Sequence, residues 1–262
     1  MTNKEIRARG WQIYKTSFLP LTAVGAAVTL LSLAEILSEN SALVLTAEIL
    51  SLLASIVTCY FFMRCWADGR AELKNLGGFF TQPVYSERLL PVIGFELLVY
   101  CGMFVPLIVG IIASVKLDKF WFLSVGPMAL IWVILITVAA VAFSLVWEIF
   151  IFEPQLKVTE LFKKSAKYMG RHWLDILWFN FTLNIIPGII VFLLSEYIDA
   201  AAVNLIMIPA RTYVTLTSYG YIYEAVIAVE RQREMEEEKL STDELPAVEN
   251  CDAADETAEE QA

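Results

Sequence analysis

Histidine is nearly absent from this chain: His172 is the only one in 262 residues. The four cysteines, Cys59, Cys65, Cys101 and Cys251, share no CxxC or metal-ligand spacing. A structural metal site needs several Cys or His ligands at recurring intervals, and a Ser-His relay needs a base aligned with its nucleophile. Neither set is present. HExxH and the glycine-rich phosphate-cradling loops are missing too, and Gly77-Gly78 reads as a turn. No catalytic, cofactor-binding or metal residue is assigned, and the expectation is a non-enzymatic protein. Charge is also scarce, at 18% of residues. The net charge of −10 arises between Glu230 and Ala262, so the acidity belongs to the C-terminal end alone.

What the chain has instead is apolar length. It is 58% hydrophobic, against roughly 45–50% for a soluble globular domain. A mostly apolar run of about 18 residues or more is long enough to span a bilayer. Six such runs lie at about 18–37, 42–63, 90–115, 128–150, 173–194 and 200–229. The expected fold is an all-α polytopic membrane bundle of six transmembrane helices with cytoplasmic interfacial amphipathic helices. Residues 1–229 form the membrane domain, and 230–262 an acidic, largely disordered cytoplasmic tail whose first residues can extend the last helix by a few turns.

Two stretches supply the interfacial helices. Near the N-terminus, Ile6, Gly10, Ile13 and Tyr14 share a face among Lys4, Arg7, Arg9 and Lys15. Between the fourth and fifth runs, Val158, Leu161, Phe162, Ala166 and Met169 share a face, and Lys157, Lys163, Lys164, Lys167 and Arg171 crowd the rest. A helix of this kind lies flat on a membrane, its cations among anionic lipid headgroups. Nucleic acid is not expected, because no soluble fold stands beside the basic helix. Sixteen of the nineteen Lys and Arg residues fall on one side of the six-span topology; Lys116 and Lys119 fall on the other, and Arg211 lies within a span. The bias places both termini in the cytoplasm of a multi-pass inner-membrane protein. The acidic tail then faces a cytoplasmic protein partner.

Polar residues inside the spans are the candidate site. Arg211 sits about ten residues into the last run, where a cation costs about 2.5 kcal/mol or more unless it meets a partner or water. Asn204, Arg211, Thr215 and Ser218 share its face. A structural pair with Glu48 or Glu96 that fixes helix register is weighed ahead of an anion or headgroup site. On the second run, Glu48, Ser51, Ser55 and Thr58 form a stripe suited to close helix approach. On the fifth, Asn180 and Asn184 precede Pro187-Gly188; an ordinary kink is weighed ahead of a broken transporter helix. Glu96 and Glu148 fall near cytoplasmic helix ends, with water in reach. Whether Arg211 faces an open cavity separates the two main readings.

The segment Trp147-Glu-Ile-Phe-Ile-Phe-Glu-Pro154, followed by Glu160-Leu-Phe-Lys-Lys-Ser165 and Gly170-Arg-His-Trp173, resembles a bacterial family of small integral membrane proteins catalogued as domain of unknown function 975. It is also similar to the glycerophosphodiester phosphodiesterase membrane-domain group. Asn3-Lys4-Glu5-Ile6-Arg7 and Gly78-Phe79 fit the first family; near Pro209, where that family tends to Pro-Tyr, this chain has Pro209-Ala210-Arg211. The resemblance implies topology and no assigned activity. The functional expectation is a scaffold, assembly or regulatory membrane protein, with a transporter or lipid-handling permease built around Arg211 as the alternative.

Overall fold

The computed structural model describes residues 1–37, 41–105, 108–109, 111–112 and 121–243. Every regular element among them is helical: α1 Asn3–Thr16, α2 Phe18–Leu37, α3 Ser41–Asp68, α4 Lys74–Thr81, α5 Pro83–Met103, α6 Trp121–Phe143, α7 Val146–Phe152, α8 Val158–Ser195, α9 Ala200–Ile206 and α10 Ile208–Tyr221. A π-helical segment, Ile222–Ile227, then leads into α11, Ala228–Asp243. Lys116, Lys119, Cys251 and the tail beyond Asp243 lie outside the described residues, as does the Glu48 side chain.

Two stretches, Pro127–Phe152 and Val158–Ser195, are long and apolar enough to cross a membrane. The pair Asn3–Thr16 and Phe18–Leu33, bent by 93°, makes a third if taken as one span. The chain is thus an all-helical protein with two to three apolar helices of spanning length among the described residues.

Local chemistry sets the helix ends. Thr2 and Glu5 form a reciprocal capping box at the start of α1: Thr2 N–H donates to Glu5 Oε2 at 2.6 Å, and Glu5 N–H to Thr2 Oγ1 at 3.4 Å. Ser17, at the bend, accepts from Ala71 N–H at 2.8 Å and fixes the angle between α1 and α2. The break between α6 and α7 is bridged by Ser165 of α8, which donates to Ala142 O at 2.8 Å and accepts from Leu145 N–H at 3.2 Å. Backbone groups released by the break are thereby satisfied inside the protein, as apolar surroundings demand.

Several expected boundaries move. The stretch 64–88 holds a helix, α4, so Gly77-Gly78 is helical rather than a turn. The last run is divided at Met207 and changes to π-helical winding after Tyr221. The basic stretch 157–171 is no separate surface helix: α8 runs without interruption from Val158 to Ser195, through Pro187-Gly188. At 1.5 Å per residue its 38 residues reach roughly 57 Å, well beyond a hydrocarbon core of about 30 Å. Its N-terminal apolar face is covered by protein. Leu161, Phe162 and Met169 are buried, and the Phe162 ring lies 4.8 Å from Phe95 and 4.9 Å from Phe143. Apolar side chains that meet other helices need no acyl chains to bury them.

The core sits at the charged end of the bundle. Trp66, Phe61, Phe62, Phe79, Phe150, Tyr168 and Phe179 are its largest fully buried side chains. Tyr85 stacks on Phe79 at 5.2 Å and donates its hydroxyl to Ile151 O at 2.7 Å, so even the polar tip is satisfied. Helix α10 packs against α1, α2, α3 and α8. Close approach comes from small residues: a Cβ on Gly25 would collide with Thr212 Oγ1, and one on Gly220 with the Trp66 ring.

Candidate functional site

Helices α2, α3, α9 and α10 enclose a cavity of about 380 Å³. Its polar lining is Thr29, Ser32, Thr58, Asn204, Thr212 and Thr215, with Arg211 the only charged side chain among the described residues. Several of the hydroxyls satisfy their protons locally: Thr29 donates to Gly25 O at 2.9 Å, Ser32 to Val28 O at 3.2 Å and Thr212 to Ile208 O at 2.8 Å. Their oxygen lone pairs stay available toward the cavity. Arg211 is exposed and makes no ion pair among the described residues. A hydroxyl-lined space with one cation accepts a carboxylate, phosphate or sulfonate, because the guanidinium fork matches such oxyanions.

Of the five expected site residues, the side chain of Glu48 lies outside the described residues, and the other four do not converge. Asn204, Arg211 and Thr215 line the cavity together, but Ser218 turns away and donates to Asn180 Oδ1 at 2.6 Å, clamping α10 to α8. Asn184 donates to Asn180 O of its own helix at 2.8 Å and lies exposed on α8. Glu96 belongs to α5, which packs on α4, α6 and α8. The expected Arg211–Glu96 register pair is therefore absent; the partner is on the wrong helix.

The basic side chains of α8 meet acids. Lys164 Nζ contacts Glu153 at 2.8 Å and Glu234 at 2.9 Å; Lys167 reaches Glu234 at 3.3 Å. Arg171 donates to Glu230 at 2.7 Å, Arg233 at 2.6 Å, and His172 Nε2 lies 2.9 Å from the same carboxylate. Arg231 returns to Glu153 at 2.8 Å. Glu230 is fully buried. Burial alone would raise its pKa, but the bonds from His172 and Arg171 and the charges of Arg171 and Arg233 outweigh burial and hold it below the ordinary carboxylate value. Helix α11 is thus held to α8 through Glu230 and Glu234, because charge pairing anchors what apolar burial does not. Lys157 and Lys163 remain outside the network.

Other functional groups had no place in the sequence reading. Arg9 donates to Glu224 Oε1 at 2.6 Å and to Trp66 O at 3.0 Å, its guanidinium over the Trp66 ring at 5.1 Å, while Trp66 Nε1–H donates to Glu224 at 3.2 Å. Glu224 lies in the π-helical turn, a winding that often marks a special site. Glu148, expected within reach of water, is only 7% exposed, and its Oε2 has no hydrogen-bond partner. The break after Phe143 turns α7 inward and takes that carboxyl out of solvent. One signal was readable for the ion-pair network: Lys164, Lys167 and Arg171 repeat at helical spacing, and so do Glu230 and Glu234. Compared with protein-family models, with curated proteins and with solved structures, the chain matches none.

Proposed function

We propose that the chain is a six-span bacterial inner-membrane protein with both termini in the cytoplasm, and that it binds an anionic amphiphile in the Arg211 cavity, as a permease or lipid-handling protein. The observation that carries this reading is Arg211 itself: a cation in an apolar bundle, lining a cavity and lacking an acidic partner among the described residues. An unpaired intramembrane cation marks a substrate or ion pathway by default. The cavity volume suits a headgroup with part of its chain. The resemblance to the family catalogued as domain of unknown function 975 belongs to the same proposal. A scaffold role is the second reading, favoured by α11, whose Glu236 and Glu237 remain exposed beyond the docked Glu230 and Glu234 and face a cytoplasmic partner.

The test is the thermal midpoint of the purified protein in maltoside with decyl phosphate or decanesulfonate, and with zwitterionic decylphosphocholine as control. A ligand at 100 times its Kd stabilises by about 2.7 kcal/mol. Both anionic probes are expected to raise the midpoint of the wild type, and neither that of Arg211→Leu, whose empty form keeps or gains stability. Equal anion shifts in both proteins overturn the reading. So does a lowered midpoint of empty Arg211→Leu, since that outcome marks a structural ion pair.

A further inference from the structure

A second polar site lies one layer beneath the Arg211 cavity. Thr58 and Phe62 of α3 and Thr215 of α10 line the cavity toward the charged end of the bundle. One turn farther along α10, the Tyr219 ring stacks on Phe62, centroids 6.1 Å apart and planes 19° from parallel. Cys59 lies one turn back from Phe62 on α3, and its thiol donates to Met63 Sδ at 3.9 Å. Behind this pair is Glu148, whose charge acts on both Cys59 and Tyr219.

Glu148 is an odd occupant of that position. It is more than nine-tenths buried, and Oε2 lacks any donor. No basic side chain pairs with it among the described residues. Lys164, on α8 that packs along α7, is held by Glu153 and Glu234. Glu96 of α5 is an acid too and offers no counter-charge. Cys59 from α3 and Tyr219 from α10 are the titratable groups that face it, and neither is a cation. A buried carboxylate with no counter-charge costs several kcal/mol in apolar surroundings. An incoming proton cancels that charge and gives the orphaned oxygen an O–H.

We infer that Glu148 is a proton-binding site, coupled through Tyr219 to the occupancy of the Arg211 cavity. The coupling half rests on the anion-binding reading proposed above; the proton site does not. The reaction is carboxylate plus a proton from the medium giving the neutral acid, with no other bond changed. An anion held by Arg211 adds negative charge two helical turns along α10 from Tyr219, about 12 Å at 1.5 Å per residue, in a medium that screens poorly. It therefore favours the protonated carboxyl, and by linkage the protonated carboxyl favours the anion. Substrate uptake draws in about one proton.

The proton site is tested on the empty protein by infrared titration in detergent. A carboxylic C=O band that fades as pH rises and is missing from Glu148→Gln is expected; if Glu148→Gln removes no titrating band, the inference is overturned. The coupling is tested by decanesulfonate binding against pH, since the probe's own charge does not titrate. Where Glu148 titrates, wild-type affinity is expected to fall by up to about tenfold per pH unit, the slope of a single linked proton. Glu148→Gln is expected to show a flat profile at the high-affinity level. Tyr219→Phe keeps the ring stack and loses the hydroxyl, so its infrared band should persist while the slope shrinks. A wild-type slope in Glu148→Gln refutes the coupling, and one in Tyr219→Phe refutes its route. If decanesulfonate binds the wild type at no pH, the cavity reading and the coupling fall together, and the infrared titration alone decides the proton site.

Discussion

Trp66 and Trp178 state the contrast between the two ends of this molecule. Trp66 is completely buried at the charged end, its ring under Arg9 and its N–H on Glu224. Trp178, on the apolar length of α8, is 64% exposed, together with Leu174, Phe181, Ile186 and Phe192. The charged end behaves like a water-soluble core, with aromatic packing closed over by ion pairs. The apolar length behaves like a membrane span, where lipid tails are as apolar as leucine and burying one more side chain against protein gains little. Helices there meet through glycines and hydroxyls, as at Gly25–Thr212 and Ser218–Asn180. Stability is therefore concentrated at one end, and the other end is left room for a cavity.

The sharpest way to break this contrast is to truncate both tryptophans. Trp66→Ala should cost about 3–5 kcal/mol, the range for a large core side chain. Trp178→Ala should stay within about 0.5 kcal/mol, as for a surface position. Equal losses on denaturation in mixed micelles would show that the apolar length is packed as tightly as the charged end.

A smaller effect is expected from the ion-pair network. Glu230→Ala leaves Arg171, His172 and Arg233 without their shared acceptor. A loss of about 2 kcal/mol is expected, below the 3–5 typical of a broken fully buried pair, because both arginines are partly solvated. Glu236→Ala, on the exposed side of the same helix, should change almost nothing. Amide exchange along α11 separates local release from global unfolding.

The same group sets a pH window. Because Glu230 has its pKa lowered in the folded protein, its stabilisation is fully present above the unfolded carboxylate value of about 4.3. It is lost progressively as pH falls below that value through the folded one. Glu234, lowered against its own burial by Lys164 and Lys167, adds in the same direction. A distance probe between α8 and α11 should report release of α11 in acid and none between pH 6 and 8. Release on raising the pH through that range would be the wrong sign. The smallest effect on stability is expected from Arg211→Leu without ligand, since no partner among the described residues is stranded.

Much of the fold was legible because apolar length and charge placement are properties of local sequence. The runs at 128–150 and 173–194 are helices of spanning length because their residues are, and the N-terminal face of Ile6, Gly10, Ile13 and Tyr14 is buried as its spacing requires. The course of α8 was not legible. Nothing local to Gly170-Arg171-His172 says whether a basic helix lies flat or continues, and its partners Glu230 and Glu234 lie some sixty residues away. The site was half legible. Arg211 was visible as a cation among apolar residues, but whether Glu96 could reach it depended on which helix packs beside α10.

By itself, the sequence determined the helical class, the apolar lengths and the oddity of Arg211, because each follows from residue type and period. Only the tertiary structure decided that the bases of α8 meet Glu153, Glu230 and Glu234, that Glu148 is enclosed rather than wetted, and that Arg211 opens on a cavity. Those outcomes depend on which side chains distant in the chain arrive at the same place, and pairing across helices is written in no single stretch.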